Sequence, residues 1–571
     1  MVQYNGVAEF DRSMRYDVCI VGAGPAGLTI AGQFLGTRLK VLVIESGGII
    51  PDGRGHELLR GEVADATLHA PPDRFRRRCL GGATRVWGGR CLPLDPIDFL
   101  ARPWLGLTLP WPIKYEELVP YWRRSHGLCE LGQFEYGGGG AVAGGIRRIL
   151  EGLHADDIDD DLIERFSRPT DFGKAYGDSL RRSGNVSLLL NSTCIRINPS
   201  RDGRGISSMT VAQDTTSYLT VCARSFVLAA GGLEVPRLLL WAVRESGLRI
   251  GAAEQQIGRY YMCHLAGVVG RFAPTIGQSV ARGYARTSHG VYCRRRFAIT
   301  ARAQEAAGIG NAIVRLHQTR IGDARHGSAA MSAIFFFREL LPFEYAVRLA
   351  RGDTDSKDRQ HLVNVLRDPW DVLQFGAEYL IRRRFARRKL PSIVWDCPSG
   401  ELTLDVHAEQ LPNRESRVVL GQQADRFGIP VVRVDWRYQP ADVGTVGGTL
   451  RLLAQAVRAG GHGEVFYDEA GLEAELLRDG AYGGHHLGTA RMSNSPEAGV
   501  VDRNCRVHGC HNLFVAGGAV FPSSGQANPT MTIVALALRL ADHLKGSLAG
   551  GYLSEGCGGE RGGRPPVHLN A

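Results

Sequence analysis

The sequence predicts an α/β fold organised around a buried parallel β-sheet. Apolar runs at residues 16–21 and 40–44 have the composition of buried parallel strands, and residues 28–35 between them show the apolar spacing of a helix. Further strand-like runs occur at residues 186–190, 225–232 and 512–519, and the last two end in glycines. Because long stretches of chain separate these runs, we predict a sheet that is assembled from discontinuous segments.

A glycine-rich turn joins the first strand to the helix. It reads G-A-G-P-A-G over residues 22–27, and Glu45 ends the second strand. Such glycines allow the backbone to approach a pyrophosphate, the helix N-terminus attracts the anion, and the acid accepts hydrogen bonds from a ribose. We therefore predict a dinucleotide site at Gly22, Gly24, Gly27 and Glu45, although a glycine-rich turn without a ligand has the same motif. The motif does not distinguish FAD from NAD, and its N-terminal position favours FAD.

The composition is that of a large globular protein. The 571 residues are 44% hydrophobic, and a chain of this length allows about two to four domains. The net charge is +10, but acidic residues are also plentiful, so no nucleic-acid partner is expected. Basic clusters at 76–78, 294–296 and 382–389 are interpreted as solvated faces or neighbours of cofactor phosphates. A membrane-surface helix before the last cluster is the alternative, although we expect no membrane contact.

The cysteines and the start of the chain bear on the cellular compartment. Twelve cysteines are scattered without a C-x-x-C pair, so no metal site is predicted. Free thiols are typical of a reducing cytoplasm. Residues 1–15 lack the apolar core of a signal peptide, and no run approaches the ~18 apolar residues of a transmembrane helix. We therefore expect a cytoplasmic protein.

The order of the motifs suggests how the chain is divided. In the middle region, strands are predicted at residues 332–337 and 417–420, and a helical segment over residues 353–388. The predicted parts are a first cofactor-binding part (14–110), a connecting or lid region (111–180), a second cofactor-binding part (181–262), a substrate-binding domain (263–440), a C-terminal cofactor-binding part (441–548) and a disordered tail (549–571).

Four segments resemble the glucose–methanol–choline (GMC) oxidoreductase family, and the resemblance extends over nearly the whole chain. They are the N-terminal motif with Glu45, GGATRVWGG at 81–89, VLAAGGLEVPRLL at 227–239, and residues 485–532, with shorter matches at 257–264 and 409–413. The order and spacing of these segments are highly specific. The resemblance implies a Rossmann-like FAD-binding domain of the GR2 type and a substrate domain with an antiparallel sheet flanked by helices.

The resemblance also implies the site residues. The family's catalytic histidine precedes a Gly-Thr dipeptide by three positions, which corresponds to His485, and its second catalytic position corresponds to Asn528. Contacts to FAD are implied for Gly22, Gly24, Gly27, Glu45, Gly82, Ala83, Trp87, Gly88, Gly89, Cys194, Ala230, Gly231, Gly518, Asn528 and Thr530. His486 and Gln410 are the candidate substrate-binding residues. Some members attach FAD to a histidine of the glycine loop; residues 83–89 contain none, which implies noncovalent FAD.

The residue types at positions 485 and 528 suit alcohol oxidation. An alcohol must lose a hydroxyl proton and a carbon-bound hydride, and histidine has the ordinary pKa that suits a base for the first of these. The flavin N5 takes the hydride, and a neutral amide can orient the oxygen without competing for the proton. In the alternative interpretations, His485 is a core histidine and Asn528, which precedes Pro529 and an apolar-periodic run, caps a helix. His264 is interpreted as structural.

The pairing of His485 and Asn528 resembles that of bacterial sugar- and glycoside-oxidising members of the family. This resemblance implies the FAD-dependent oxidation of a CH–OH group in a sugar, a glycoside or a sugar-containing natural product such as an aminoglycoside. The electron acceptor is oxygen or another carrier. Two alternatives stay open: a lyase of the same family, which needs FAD only structurally, and a flavin-binding protein without activity. Anaerobic bleaching of the flavin by an alcohol would distinguish the oxidoreductase from the lyase.

Overall fold

The computed structural model of the protein describes residues 15–338, 358–481 and 484–549. Its strands, in chain order, are β1 (Tyr16–Val21), β2 (Val41–Ile44), β3 (Gly61–Val63), β4 (Arg90–Cys91), β5 (Ile158–Asp159), β6 (Ile163–Phe166), β7 (Val186–Leu189), β8 (Thr193–Pro199), β9 (Ile206–Ala212), β10 (Tyr218–Val221), β11 (Ala223–Leu228), β12 (His264–Pro274), β13 (Ala285–Arg286), β14 (Tyr292–Arg295), β15 (Phe297–Ile299), β16 (Ala312–Gln318), β17 (Leu402–Glu409), β18 (Arg417–Ala424), β19 (Pro430–Asp435), β20 (Gly463–Phe466) and β21 (Leu513–Val515). Its α-helices are α1 (Pro25–Gly32), α2 (Gly53–Glu57), α3 (Tyr115–Leu128), α4 (Phe172–Arg181), α5 (Glu234–Trp241), α6 (Ala301–Ala307), α7 (Ala329–Phe336), α8 (Asp358–Arg367), α9 (Pro369–Tyr379), α10 (Pro440–Ala459), α11 (Leu472–Asp479) and α12 (Thr530–Ala549).

A five-stranded parallel sheet organises the cofactor-binding half. Its order is β21–β11–β1–β2–β7, and every neighbouring pair is parallel. The strands are buried on nearly every residue, as expected when helices cover both faces of a parallel sheet. Since they come from residues as far apart as Tyr16 and Val515, the prediction of an α/β fold with a discontinuous parallel sheet is confirmed.

The turn between β1 and α1 requires glycine at two positions. Gly22 has a φ of +109°, and a Cβ there would lie 2.6 Å from the carbonyl oxygen of Ala229. A Cβ at Gly27 would lie only 1.9 Å from the carbonyl oxygen of Gly22. The missing side chains let α1 pack closely on β1, and Pro25 suits the first turn of the helix. The N-terminus of α1 therefore faces the carboxyl ends of β1 and β11.

A six-stranded antiparallel sheet forms the other half, in agreement with the predicted fold class. Its order is β20–β12–β17–β16–β15–β5, and all of its pairs are antiparallel. The apolar side chains of its central strands form a second hydrophobic core together with α10. Two of its strands, β5 and β20, come from outside residues 263–440, so this sheet extends beyond the segment predicted for the substrate-binding domain.

A four-stranded antiparallel sheet lies at the boundary of these units. Its order is β13–β14–β6–β4, and β4 directly follows the glycine loop at residues 81–89. The register pairs Arg294 on β14 with Glu164 on β6. This sheet therefore places charged side chains beside the cofactor-binding loop.

The predicted strand at residues 332–337 is wrong, because this segment belongs to helix α7. Its aromatic run has strand-like composition, but Ser328 accepts a hydrogen bond from the amide of Met331 and so caps a helix that begins at Ala329. The strand predicted at 417–420 agrees with β18.

The helical segment predicted at 353–388 is interrupted. Asp368 accepts a hydrogen bond from the amide of Asp371, and Pro369 begins α9 immediately after α8 ends at Arg367. A π-helical turn at Leu380–Arg384 continues α9. Residues 353–357 lie outside the described residues, as do 1–14 and the predicted tail from residue 550 onward.

The three basic clusters have different environments. Residues 294–296 are buried, so their interpretation as a solvated face is wrong. In the 76–78 cluster, Arg76 and Arg78 both form ion pairs with Glu234. In and before the third cluster, the large apolar side chains of Leu366, Trp370, Ile381 and Phe385 are between 64% and 75% exposed. No described helix is long and apolar enough to cross a membrane, and the absence of surface contact with membranes stays a prediction.

A buried ion pair connects the two halves of the molecule. The guanidinium of Arg102 binds both carboxylate oxygens of Glu409, the last residue of β17. The two side chains are 1% and 0% exposed, and Glu409 also accepts the amide hydrogen of Asn311. Removing one partner of such a pair leaves a buried charge without compensation.

Arg102→Met should therefore lower the stability of the protein substantially. Loss of one partner of a buried ion pair costs about 3–5 kcal/mol, so the thermal midpoint should fall by several degrees. Arg302→Met is the matched control, because Arg302 is 68% exposed in its pair with Asp157 and should have little effect. Equal thermal midpoints for the two variants would contradict this assignment.

Candidate active site

A cavity of about 600 Å³ lies at the carboxyl ends of the parallel strands. The residues that follow β1, β2, β11 and β21 line it, which is where ligands bind to open α/β sheets. It also reaches the antiparallel sheet, where Arg315, Thr403 and Asp405 contribute to its wall. One cavity thus spans the boundary between the two units.

Four glycines give the cavity a wall of bare backbone. At Gly24, Gly88, Gly231 and Gly517, an added Cβ would meet no protein atom within 4 Å, and all four residues line the cavity. A side chain at any of these positions would therefore project into open space that a ligand can occupy. Such a wall suits a large cofactor that lies directly against the backbone.

Glu45 lies at the position that the N-terminal motif assigns to a ribose. Its carboxylate lines the cavity and accepts the amide hydrogens of Ala23 and Gly47, each at 2.9 Å. Burial raises the pKa of Glu45, whereas these amide hydrogen bonds and Arg78 oppose the shift. The amides hold the carboxylate in a fixed orientation at the cavity wall.

The structure brings most of the predicted cofactor-binding residues to this cavity. Its lining includes Gly22, Gly24, Glu45, Gly82, Ala83, Trp87, Gly88, Gly89, Cys194, Ala230, Gly231, Gly518, Asn528 and Thr530. Gly27 is the exception, because it does not line the cavity, and its contact with the cofactor stays a prediction. It lies against the carbonyl of Gly22 and allows α1 to pack on β1 instead.

His485 and Asn528 lie next to each other on the cavity wall. The distance from Nδ2 of Asn528 to Nε2 of His485 is 3.3 Å, and Oδ1 of Asn528 accepts a hydrogen bond from Nε of Arg90 at 2.6 Å. A guanidinium can only donate, so the amide oxygen must face Arg90 and the amide nitrogen must face His485. Both ends of the carboxamide are therefore directed at side chains of the site, and the predicted helix cap is not formed by them.

This orientation of the amide determines the tautomer of His485. Because Nδ2 of Asn528 donates, Nε2 of a neutral His485 carries the lone pair and Nδ1 carries the proton. Nδ1 of His485 is 2.8 Å from Nδ1 of His264, which accepts this hydrogen bond. His264, which the sequence analysis treated as structural, is thus the hydrogen-bond partner of the catalytic candidate.

Burial keeps these imidazoles neutral. Burial, together with the smaller effect of the neighbouring Arg90 cation, lowers the pKa of His485 to about 3. It also lowers the pKa of His264 and of His407, whose rings are 4.5 Å apart, centroid to centroid. One nitrogen from each of these three histidines lies within 4.8 Å of the others, a spacing that could hold a metal ion. Because His485 donates a hydrogen bond to His264, we interpret the cluster as a hydrogen-bonded group and not as a metal site.

His486 lines the cavity but has different neighbours. Its ring packs against His69 and Tyr261, with centroids 6.3 and 6.1 Å away, and those two side chains are joined by a 2.8 Å hydrogen bond. This packing supports a role in holding the loop. Contact with a substrate stays a prediction for this residue.

Gln410, a predicted substrate-binding residue, does not lie on the cavity wall, and its contact with a substrate stays a prediction. Its side chain is fully buried. The amide oxygen accepts hydrogen bonds from the amide of Cys263 and from Trp436 Nε1, and the amide nitrogen donates to the carbonyl of Arg437, all at 2.8 Å. Gln410 therefore links three segments of the chain.

The far end of the cavity, which we call the polar end, is lined by Arg90, Glu164, Arg294, Arg315 and Asp405. Glu164 binds Arg90 at 3.3 Å and Arg315 at 3.4 Å, and Arg315 also binds Asp405 at 3.3 Å. Through Arg90, this network is connected to Asn528. The catalytic candidates thus lie between the glycine wall and the polar end.

Comparisons with known proteins agree with this geometry. Residues 412–537 match the family model described as GMC oxidoreductase. The chain is 24% identical to 2-methyl-1,2-propanediol dehydrogenase of Mycolicibacterium austroafricanum, covering 92% of this chain and 95% of the relative. It is 25% identical to paromamine 6'-oxidase of Streptomyces fradiae, covering 93% and 92%. A formate oxidase structure from Aspergillus oryzae has a TM-score of 0.52 at 18% identity, covering 94% and 99%.

The chain resembles the GMC oxidoreductase family over nearly its whole length, and its C-terminal residues 412–537 match the family model. It is an FAD-dependent oxidoreductase. The cavity fits FAD, because the wall of bare glycine backbone leaves room for the cofactor and the fixed carboxylate of Glu45 provides a hydrogen-bond acceptor.

Several residues of the site are not predicted from the sequence. Arg90 follows the glycine loop directly, but its contact with Asn528 joins positions 438 residues apart. His264 and His485 are 221 residues apart, and Glu164 and Arg315 are separated by 151. The adjacency of Arg90 to the loop was the one local signal that could have identified a site residue.

A pair of glycine variants tests the position of FAD. Gly24→Ala should fold normally, because its methyl group meets no protein atom, but the affinity for FAD should fall by about tenfold or more, which is at least about 1.4 kcal/mol. Gly27→Ala is the matched variant, and its Cβ would clash with Gly22 and lower the thermal midpoint of the apoprotein. FAD titration and thermal melting of both apoproteins provide the measurement. An unchanged FAD affinity in Gly24→Ala would contradict the placement of the cofactor.

Proposed function

We propose that this protein oxidises a CH–OH group of a sugar, a glycoside or a related polyol, with His485 as the base that removes the hydroxyl proton. The observation that supports this most strongly is the chain of hydrogen bonds from Arg90 through Asn528 and His485 to His264. It leaves an amide donor and an imidazole acceptor side by side on the wall of the FAD cavity. An alcohol oxygen that donates one hydrogen bond and accepts another matches this pair.

The side chains of the site would divide the work as follows. A bound alcohol would lie between Nδ2 of Asn528 and Nε2 of His485 and replace their 3.3 Å hydrogen bond. Nδ2 then donates to the alcohol oxygen and orients it, while the hydroxyl donates to the freed lone pair of Nε2. When Nε2 takes the proton, Nδ1 keeps its hydrogen bond to His264, which stabilises the imidazolium that forms. Bound FAD supplies the acceptor for the hydride of the substrate carbon. Because burial keeps His485 neutral, the base is ready to accept a proton across the neutral pH range.

The printed names of the relatives support this class of substrate. They specify 2-methyl-1,2-propanediol, paromamine and, for a 23% identical relative from Gluconobacter japonicus, fructose. All three relatives are named as oxidases or dehydrogenases, which favours redox chemistry over the lyase alternative. Both oxygen and another carrier are therefore compatible with this proposal as the electron acceptor.

We further propose that FAD is held without a covalent bond and that the protein is cytoplasmic. Residues 83–89, most of which line the cavity, contain no histidine. The eleven cysteines in the described residues are all free thiols, which is consistent with a reducing compartment.

The role of His485 is tested by comparing two neighbouring histidines. A general base contributes about 10²–10⁴-fold to the rate, so His485→Ala should slow anaerobic flavin reduction by that factor at normal FAD content. His486→Ala is the matched control and should reduce faster than His485→Ala, because its ring packs on His69 and Tyr261. Rapid mixing at equal FAD occupancy gives the rates. If His486→Ala reduces its flavin very slowly while His485→Ala stays near the wild-type rate, the assignment of His485 as the base is wrong.

The attachment of FAD is tested by acid precipitation. Because no histidine is available in the loop at 83–89, the yellow colour should appear in the supernatant after the protein is precipitated. The absorbance of the supernatant and of the redissolved pellet at the flavin maximum is the measurement. Flavin that stays in the pellet would show a covalent bond.

A further inference from the structure

The polar end contains one more positive charge than its carboxylates can balance. Glu164 and Asp405 carry two negative charges, and both are engaged by the guanidinium groups of Arg90 and Arg315. Arg294 is the third guanidinium of this end. Among the residues that the structure describes, no carboxylate lies within ion-pair distance of Arg294.

The contacts of Arg294 are with neutral groups. It donates a hydrogen bond to the carbonyl of Leu316, and its guanidinium lies over the ring of Tyr284 at 5.5 Å. Its side chain borders the cavity and is otherwise enclosed, with only 5% of the residue exposed. Burial of a cation without an opposite charge is unfavourable, so this position is costly unless the cavity receives an anion.

Arg294 lies within reach of a molecule that is bound at the catalytic pair. It is paired in register with Glu164 on the neighbouring strand, and residues paired in this way project from the same face of a sheet. Glu164 binds Arg90, and Arg90 binds Asn528. Arg294 therefore belongs to the same wall as the amide that would orient the reacting hydroxyl.

We propose that Arg294 binds a carboxylate of the substrate, so that the substrate is a sugar acid or a glycoside that carries an acid group. This inference rests on the proposed oxidation at His485, and it specifies the substrate class of that same site. A guanidinium presents parallel N–H donors that match a carboxylate, and a single unbalanced positive charge matches its single negative charge better than a phosphate dianion. The carboxylate itself is unchanged, since the hydride and the proton both leave the CH–OH group.

The same charges disfavour an amine-bearing substrate. A cationic amine would require a carboxylate that is not already paired, but Glu164 and Asp405 are bound to arginines. Asp323, which also borders the cavity, is bound to Arg325. An ammonium group would therefore meet an unbalanced cation at this end.

The test compares matched substrates with the FAD-loaded enzyme. D-Glucuronate, D-gluconate, D-glucose, D-glucosamine and glucose 6-phosphate are each mixed anaerobically with wild-type protein, Arg294→Gln, Arg294→Lys and Arg320→Gln. Arg320 also borders the cavity, but its charge is already balanced by Glu475. Arg320→Gln is therefore the control that removes one positive charge from the cavity wall without removing the proposed anion site. Flavin reduction gives the limiting rate and the apparent Kd for each compound.

We expect the wild type to prefer an acid over its neutral parent by at least about tenfold. Arg294→Gln should reduce this preference by about ten- to a hundredfold, mainly through Kd, as for the loss of a hydrogen bond to a charged group. Arg294→Lys should retain part of it, and Arg320→Gln should keep it. A wild type that prefers glucose or glucosamine, or an Arg294→Gln variant that keeps the preference for acids, would overturn the proposal. Tighter binding of the sugar phosphate would overturn the choice of carboxylate.

Binding without turnover separates this proposal from the proposed function. The His485→Ala holoenzyme, alone and combined with Arg294→Gln, is titrated with the same compounds, and changes in flavin absorbance report binding. If the acids bind more tightly than the neutral sugars, and lose this advantage with Arg294→Gln, the anion site is supported even where no compound reduces the wild-type flavin. A failure of every compound to reduce the wild-type flavin would contradict only the proposed oxidation and not the anion site. Equal binding of acids and neutral sugars would overturn the anion site, whatever the redox result.

Discussion

The hydrogen bond between Arg90 and Asn528 is the interaction on which the candidate site depends. Arg90 follows the glycine loop, Asn528 precedes α12, and the two are joined across 438 positions of the sequence. Since a guanidinium cannot accept a hydrogen bond, it holds the carboxamide in one orientation, and that orientation determines which nitrogen of His485 carries the lone pair. Arg90 and Glu164 form an ion pair within the four-stranded sheet, so the contact of Arg90 with Asn528 joins that sheet to the C-terminal part of the cofactor-binding half.

Burial divides the cavity into two electrostatic environments. Around His485 it lowers the pKa values of neighbouring histidines, so these rings are neutral and hydrogen bonds alone decide where their protons lie. At the polar end the charges persist because they are paired, with Arg315 between Glu164 and Asp405. A substrate would therefore place its reacting hydroxyl among neutral groups and the rest of its polar atoms among charged ones.

The fold and the cofactor wall could be predicted from the sequence because their signals are local. The strand, glycine turn and helix at residues 16–32 are contiguous, and the catalytic candidates are marked by short motifs. The segment of α7 predicts a strand because its aromatic run has strand-like composition, whereas the structure shows a helix that Ser328 caps. The contacts of Gln410 and Arg294 could not be predicted, since they depend on strands that the sequence separates by many residues.

The pH dependence of flavin reduction in Asn528→Asp tests most directly the claim that His485 acts as a neutral base beside a neutral amide. Burial and Arg90 lower the pKa of wild-type His485 to about 3, so the base stays deprotonated and the wild-type rate should not fall as the pH is lowered from about 8 to 5. A carboxylate facing Nε2 favours the imidazolium and raises that pKa, so the variant should be slow at neutral pH and should recover as the pH rises. A variant whose profile has the same shape as that of the wild type would contradict the account.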